Sequence, residues 1–230
     1  MFRIGAHAGT LDVVEDLIGP DILLTNTVFR IKKPGSATSY GWHQDSARIL
    51  VEPGFVIGFL AIGETTPENG CLKVIPGTHR RIWPFEVVSN PDGQARRRVA
   101  RTLDVDESRA VDIALAPGEV AFFHGNLVHG SGANRSSKRR IAILTDYTPA
   151  HARQSRGRGS GQLVRGEDRW GHFAPEPIPV GSCTRESVLA RRRILTANPE
   201  NPLMGPREPG DPIDFPDEPA APAGGVRAES

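Results

Sequence analysis

The stretch "GWHQDSARIL", residues 41 to 50, sets a histidine and an aspartate two positions apart in a run that otherwise reads as a strand or its edge. In a strand, residues i and i+2 point to the same face. His43 and Asp45 can therefore aim an imidazole nitrogen and a carboxylate oxygen at one point, with Gln44 facing away. An HxD tripeptide taken alone is weak evidence, since a lone histidine is more often a hydrogen-bonded structural residue. A third ligand is needed, and "FFHGNLVHGSGANRSSKRRIAIL" supplies two candidates. His129 is favoured because Gly130 and Gly132 after it would let a cosubstrate approach the backbone; His124 is its rival. If Phe122 to His129 is one regular strand, the odd separation puts the two histidines on opposite faces, so only one looks inward. A bulge at Gly125 would undo that argument. Two histidines and one carboxylate on one face of an octahedron leave three positions open, the ligand set of non-haem iron(II) oxygenases.

The elements that must position these groups are mostly strands. "LDVVEDLIGP" spaces Leu11, Val13, Val14, Leu17 and Ile18 as a helix does and stops at Gly19-Pro20, so a short amphipathic helix is expected there. From there to residue 148 the chain turns to brief β-rich runs punctuated by glycine and proline: "ILLTNTVFRI", "FVIGFLAIGE", "CLKVIPG", "AVDIALAPGEVAFFHG" and "RRIAILTDYTP". Short strands separated by such turns build sandwiches or barrels rather than βαβ units. "SNPDGQARRRVARTLDVDESR" breaks the pattern with charge and no clear period, and is expected to be an inserted surface loop or lid. "RESVLARRRIL" predicts one late helix. Residues 197 to 230 carry eight prolines among acidic residues and glycine, a composition that predicts an extended or disordered tail behind a single domain spanning residues 1 to 196.

A chain of 230 residues suits one substantial core. Its 28 basic and 27 acidic residues nearly cancel, which argues against general attraction to nucleic acid or an anionic membrane and favours a small-molecule partner. Cys71 and Cys183 make neither a disulfide framework nor a CxxC zinc site, so a reducing cytoplasm is the expected location. No apolar run approaches the roughly 18 residues of a membrane helix, and "MFRIGAHAGT" lacks a signal-peptide core.

Three stretches carry a family resemblance: "RIKKPGSATSYGWHQDS", "FLAIGETTPENGCLKVIPGTHR" and "PGEVAFFHGNLVHGSGANRSSKRRIAIL". Leu23 to Ala150 resembles the phytanoyl-CoA dioxygenase-like (PhyH) family of Fe(II)/2-oxoglutarate oxygenases, and T-P-E-N-G-C-L-x-V-I-P-G-T-H is very specific for it. The resemblance implies a mainly β protein, a double-stranded β-helix (jelly-roll, cupin-like) with a few flanking helices. Position by position, it assigns iron to His43, Asp45 and His129, and the far carboxylate of 2-oxoglutarate to Arg140, with Ser131 assisting. It implies Fe(II), 2-oxoglutarate and O2 as the cofactor and cosubstrates, and hydroxylation of a small molecule, in secondary metabolism, as the activity. An arginine fork suits a carboxylate and stays charged at any working pH. Arg140 immediately precedes "IAIL" and is expected to enter a strand pointing into the barrel, with Arg139 outward. Because relatives that halogenate carry a small residue at the Asp45 position, its carboxylate favours hydroxylation.

Around the site, Asn134 reads as a turn former. Asn69-Gly70 and Pro76-Gly77 supply turns, and structural roles are expected for Glu68 and His79. Strand alternation turns Tyr40 and Trp42 away from the ligand face, although an irregular segment could return Tyr40 to the cosubstrate. Lys33 and Asn26 are minor candidates for contact, and Cys71 reads as a small buried hydrophobe. Only 42 residues precede His43, fewer than usual in the family. The expectation is a shortened start or support from another subunit, such as a homodimer partner, and exposed apolar sheet surface. That shortness motivates a second hypothesis, a truncated inactive barrel binding a small ligand or partner. A third is a metal-dependent cupin-like isomerase or hydrolase without 2-oxoglutarate.

Overall fold

A computed structural model describes residues 2–47, 50–89, 98–155, 157–179, 181 and 184–197. Two helices, α1 (Phe2–Gly5) and α2 (Ala8–Ile18), lead into strands β1 (Ile22–Lys32), β2 (Tyr40–His43), β3 (Val51–Glu52), β4 (Val56–Ala61), β5 (Leu72–Val74), β6 (Phe85–Ser89), β7 (Arg98–Thr102), β8 (Val111–Ile113), β9 (Val120–His124), β10 (His129–Ser131), β11 (Arg140–Pro149), β12 (Arg153–Gln154), β13 (Ser160–Arg165) and β14 (Ala174–Pro175). Helix α3 (Arg185–Ala197) follows. The larger sheet runs β14-β13-β1-β11-β4-β9, and the smaller runs β2-β10-β5-β8. Strands near in sequence are thus shared between two facing layers, which is the jelly-roll arrangement.

The core lies between the layers. Ile57 and Phe59 of β4, Phe123 of β9 and Ala142 of β11 meet Leu72 and Val74 of β5 from the opposite sheet. These strands alternate apolar residues inward, so each sheet contributes one face and neither can bury it without the other. A second cluster sits on the outer face of the larger sheet, where Leu11 and Val14 of α2 pack on Ile22, Leu24 and Tyr147. The Tyr147 hydroxyl donates to the Gly5 carbonyl (3.0 Å). The expected helix is present, and it ends at Gly19, whose φ of 89° lies in the region glycine tolerates best. Farther along the same outer face, Phe29, Ile31 and Ile62 are 45%, 53% and 44% exposed. The helices therefore cover only the part of the sheet around Tyr147.

One expectation changes. The charged stretch after Phe85 is not simply a loop. β6 and β7 pair antiparallel from Phe85↔Thr102 to Ser89↔Arg98, and β7 packs against β2. Its cross-strand pairing, which the charge content hides in the sequence, outweighs the loop-like composition. The expected tail lies outside the described residues apart from Ala197, the last residue of α3. Cys183 is also outside them.

Candidate metal and cosubstrate site

β2 and β10 are antiparallel neighbours, and His43 stands directly opposite His129. Directly opposed residues bring their Cβ atoms within about 4.5–5.5 Å, and here the ring centroids are 4.1 Å apart. Asp45 arrives differently from the expectation: β2 ends at His43, and Asp45 opens a 3₁₀ turn, Asp45–Ala47. The change from strand to turn, rather than strand alternation, brings its carboxylate back over the histidines. Its Oδ1 lies 3.3 Å from His43 Nε2 and its Oδ2 3.6 Å from His129 Nε2. One ligand atom from each of the three residues falls within 4.8 Å of the others.

The rings are oriented for coordination. His43 Nδ1 donates to the Gly41 carbonyl (2.8 Å) and His129 Nδ1 to the Leu127 carbonyl (2.9 Å). Each bond requires the proton on Nδ1, so in the neutral ring the lone pair lies on Nε2, the atom that faces Asp45. His124 has the opposite arrangement, with its Nδ1 accepting the Asn126 backbone N–H (3.0 Å). Its neutral ring must then carry the proton on Nε2. Nor do His124 and His129 share one strand: the chain reverses after His124, with Leu127 N–H bonded to the His124 carbonyl. β9 belongs to the larger sheet and β10 to the smaller. Gly125 sits in this reversal, where an added Cβ would lie 2.5 Å from the Phe55 ring.

The electrostatics divide the pair of histidines. Burial lowers the His129 imidazole to about 4, helped by the adjacent His43. Burial also acts against protonated His43, but hydrogen bonding and attraction to Asp45 and the Gly41 carbonyl outweigh it and raise its value. Burial would push Asp45 up, yet His129, His43 and Arg30 together hold it well below the usual carboxylate range. A proton between the imidazoles and Asp45 is thus favoured on His43 over His129, and a divalent cation at these ligand atoms would replace it.

Arg140 opens β11 and is 2% exposed. Its guanidinium lies 5.8 Å from the Phe59 ring centroid, and Nη1 donates to the Arg30 carbonyl (3.3 Å). Its buried Nε has no hydrogen-bond partner among the described residues. Burial lowers this arginine to about 10, which still leaves it charged at neutral pH. A buried cation with an unused donor fits an anion such as a carboxylate.

Ser131, two residues beyond His129, accepts a hydrogen bond at Oγ from Lys32 Nζ (2.8 Å). Lys32 also donates to the Ser131 carbonyl (3.3 Å) and to the Gly132 carbonyl. Lys32, 1% exposed, stands opposite Arg140 in the β1–β11 register and ties β10 to the larger sheet. The sequence reading named its neighbour Lys33, which is exposed. Alternation with exposed Ile31 was the available signal for Lys32.

Tyr40 is inside, against simple alternation. His129↔His43 and Ser131↔Tyr40 set four residues of β2 against three of β10, a bulge that turns Tyr40 to the inner side. Arg30 and Lys32 each approach its ring at 5.4 Å. Asn26 faces the same interior and donates to Asp146 Oδ2 (3.0 Å). Burial, reinforced by Asp45, raises Asp146 to about 7.

The remaining named residues are structural. Gln44 donates to the Arg81 carbonyl and accepts the Trp83 N–H, both at 2.8 Å, bracing the segment from behind. Asn69 accepts the Thr66 N–H and donates to the Glu64 carbonyl. Asn134 donates to the Lys32 and Lys138 carbonyls and accepts from Ser136. Glu68 is exposed, Cys71 is buried, and His79 stacks toward His124, centroids 6.0 Å apart, outside the triad.

The phytanoyl-CoA dioxygenase (PhyH) family model matches residues 2–142. The chain belongs to the phytanoyl-CoA dioxygenase family. A probable phytanoyl-CoA dioxygenase of Caenorhabditis elegans is 33% identical over 156 residues, covering 64% of this chain and 50% of the relative. The human peroxisomal phytanoyl-CoA dioxygenase is 30% identical over 168 residues, covering 70% of this chain and 50% of the relative. The chain thus spans about half the length of these curated relatives. Among solved structures, the non-heme monooxygenase ThoJ superposes with a TM-score of 0.74 at 29% identity, covering 84% of this chain and 72% of ThoJ. Its nickel complex gives 0.69 at 27%, covering 84% and 71%. Iron(II), 2-oxoglutarate and O2 are the cofactor and cosubstrates of the PhyH family. The paired imidazoles, the carboxylate and the orphaned Arg140 donor are the chemistry that iron and a dicarboxylate require.

Proposed function

We propose that this chain is an Fe(II)- and 2-oxoglutarate-dependent dioxygenase that hydroxylates a small molecule, with secondary metabolism as its setting. The observation that carries the reading is the convergence of His43 Nε2, His129 Nε2 and the Asp45 carboxylate, together with a buried Arg140 whose Nε–H is unused among the described residues. His43, Asp45 and His129 hold the iron. Gly41 and Leu127 fix the two tautomers, so the ligands are set before metal arrives and little reorganisation is required. Arg140 takes the far carboxylate of 2-oxoglutarate. Ser131 assists: with Lys32 donating to its oxygen, its own hydroxyl hydrogen is left to turn toward the same carboxylate. The Phe59 ring beside Arg140 and the apolar walls from Phe123 and Leu144 keep water from the bound dicarboxylate, which strengthens the ion pair. Bound iron supplies the redox chemistry that couples oxidative decarboxylation of 2-oxoglutarate to hydroxylation of a C–H bond.

The test is an anaerobic titration of the purified protein with Fe(II) and then 2-oxoglutarate, following the visible charge-transfer band of the chelate. The band should form in the parent, be lost or shifted in Asp45→Ala, and require at least tenfold more 2-oxoglutarate in Arg140→Met. A folded parent that gives no band refutes the reading.

A further inference from the structure

Three cations stand on the inner face of β1 and β11: Arg30, Lys32 and Arg140. Two have work assigned. Lys32 is bonded to oxygens of Ser131 and Gly132, and Arg140 faces the cosubstrate position. Arg30 has none. It stands on the inner face between exposed Phe29 and Ile31, and its guanidinium carbon lies 5.4 Å from the Tyr40 ring centroid. Its charge acts on His43, Asp45, His129, Arg140 and Asp146. Among the described residues its side chain makes no hydrogen bond or ion pair.

Neither nearby carboxylate neutralises it. Asp45 faces both imidazoles and, on the reading above, gives its charge to the metal. Asp146 is bonded to Asn26. Arg30 pairs with Ala142 in the β1–β11 register, so Asp146, four residues farther along β11, is about 13 Å away along the strand. A guanidinium remains charged at any working pH and presents planar donors suited to an oxyanion. Stacking on an aromatic ring holds it in place without using those donors.

Resting on the dioxygenase reading, we propose that Arg30 is a substrate-binding residue that takes an oxyanion of the substrate, a carboxylate or a phosphate. The substrate class is then a small organic anion whose charged end is held beside Tyr40, placing a neighbouring C–H bond over the metal.

The experiment loads the protein with Zn(II), a redox-inert stand-in for the same ligands, and with saturating 2-oxoglutarate, so that Arg140 is occupied. Saturation transfer to the methyl protons of acetate then reads oxyanion binding, and inorganic phosphate is added as competitor. Acetate should bind saturably in the parent, at least tenfold more weakly in Arg30→Gln, and with partial recovery in Arg30→Lys. The Fe(II)/2-oxoglutarate band of each variant should stay within twofold of the parent's affinity. Displacement by phosphate at lower concentration than acetate marks a phosphate-bearing substrate, and the reverse order marks a carboxylate. The proposal is overturned if the parent binds neither anion, if Arg30→Gln binds them as the parent does, or if Arg30→Gln weakens 2-oxoglutarate tenfold. In the last case Arg30 belongs to the cosubstrate pocket. Should the iron band fail in the parent, the dioxygenase reading falls separately, and acetate binding to metal-free parent and Arg30→Gln still decides whether Arg30 holds an oxyanion.

Discussion

Asp146→Asn is expected to stabilise the metal-free protein at alkaline pH and to do almost nothing at acid pH. Asp146 is 9% exposed, and burial together with the nearby Asp45 raises its acid from 3.8 to about 7. Each tenfold displacement of a proton equilibrium corresponds to about 1.4 kcal/mol. The span from 3.8 to about 7 covers about three such steps, so ionising this group inside the fold costs roughly 4 kcal/mol. The direction follows from linkage. Between the two values the folded state keeps a proton that the unfolded chain has released, so stability falls as pH rises through that window. Above about 7 the loss is complete. Asparagine has the same shape, cannot ionise, and still accepts the Asn26 hydrogen bond now made to Oδ2 (3.0 Å). Urea unfolding of parent and variant at pH 4 and pH 8 should therefore give nearly equal stabilities at the first and a variant more stable by up to about 4 kcal/mol at the second. A variant equal to or weaker than the parent at pH 8 would refute the reasoning. It would mean that Asp146 is ionised inside the fold and held there by interactions that favour its charge.

Metal affinity should fall by about tenfold per pH unit once the solution is more acid than the raised His43 value, because the cation must displace the proton shared with Asp45. Calorimetry with Zn(II) in buffers of different ionisation enthalpy should show proton release that grows as the solution is made more acid, and an affinity with no pH dependence and no release down to about pH 5 would contradict it. Gly125→Ala should lose about 1–3 kcal/mol through overpacking, since the new methyl would meet the buried Phe55 ring at 2.5 Å. Because the Gly125 carbonyl also accepts the Ser46 N–H beside Asp45 (3.2 Å), Zn(II) affinity should fall with stability, and a urea midpoint and affinity both equal to the parent's would exclude this account.

What could be read from the sequence was local. The α2 helix follows from the spacing of Leu11, Val14 and Ile18 with Gly19 behind them, and α3 from the run "RESVLARRRIL". The β-rich middle followed from Gly and Pro punctuation. His43 and Asp45 stood out by residue type and short spacing, with His129 and His124 as rivals for a third position, whereas the choice of His129 and Arg140, like the jelly roll, came with the family resemblance. What stayed hidden depends on pairing across long separations. Lys32 meets Arg140, and Asn26 meets Asp146, only because β1 and β11 align across more than 100 positions of chain. Alternation along β1 puts Lys32 and Lys33 on opposite faces, but which of them is buried follows only from the pairing with β11. Strand alternation alone turns Tyr40 outward, and the irregularity that returns it, a bulge, arises from the match of β2 to β10. The β6–β7 hairpin was missed because charge on an exposed strand resembles charge on a loop.

The contest between His124 and His129 shows how such longer-range information decides chemistry. By composition the two are equal: each lies in the same short glycine-bearing segment, and either is a fair ligand. They differ in what their Nδ1 atoms meet. A carbonyl at His129 leaves Nε2 bare toward Asp45, whereas a backbone N–H at His124 uses Nδ1 as acceptor and leaves a proton on Nε2. The difference exists only because the chain reverses between them, sending β9 to one sheet and β10 to the other. The same reversal sets His129 opposite His43 and carries Ser131 to Lys32. The turn around Gly125 is therefore as much a part of the site as the ligands, since it decides which histidine offers a lone pair.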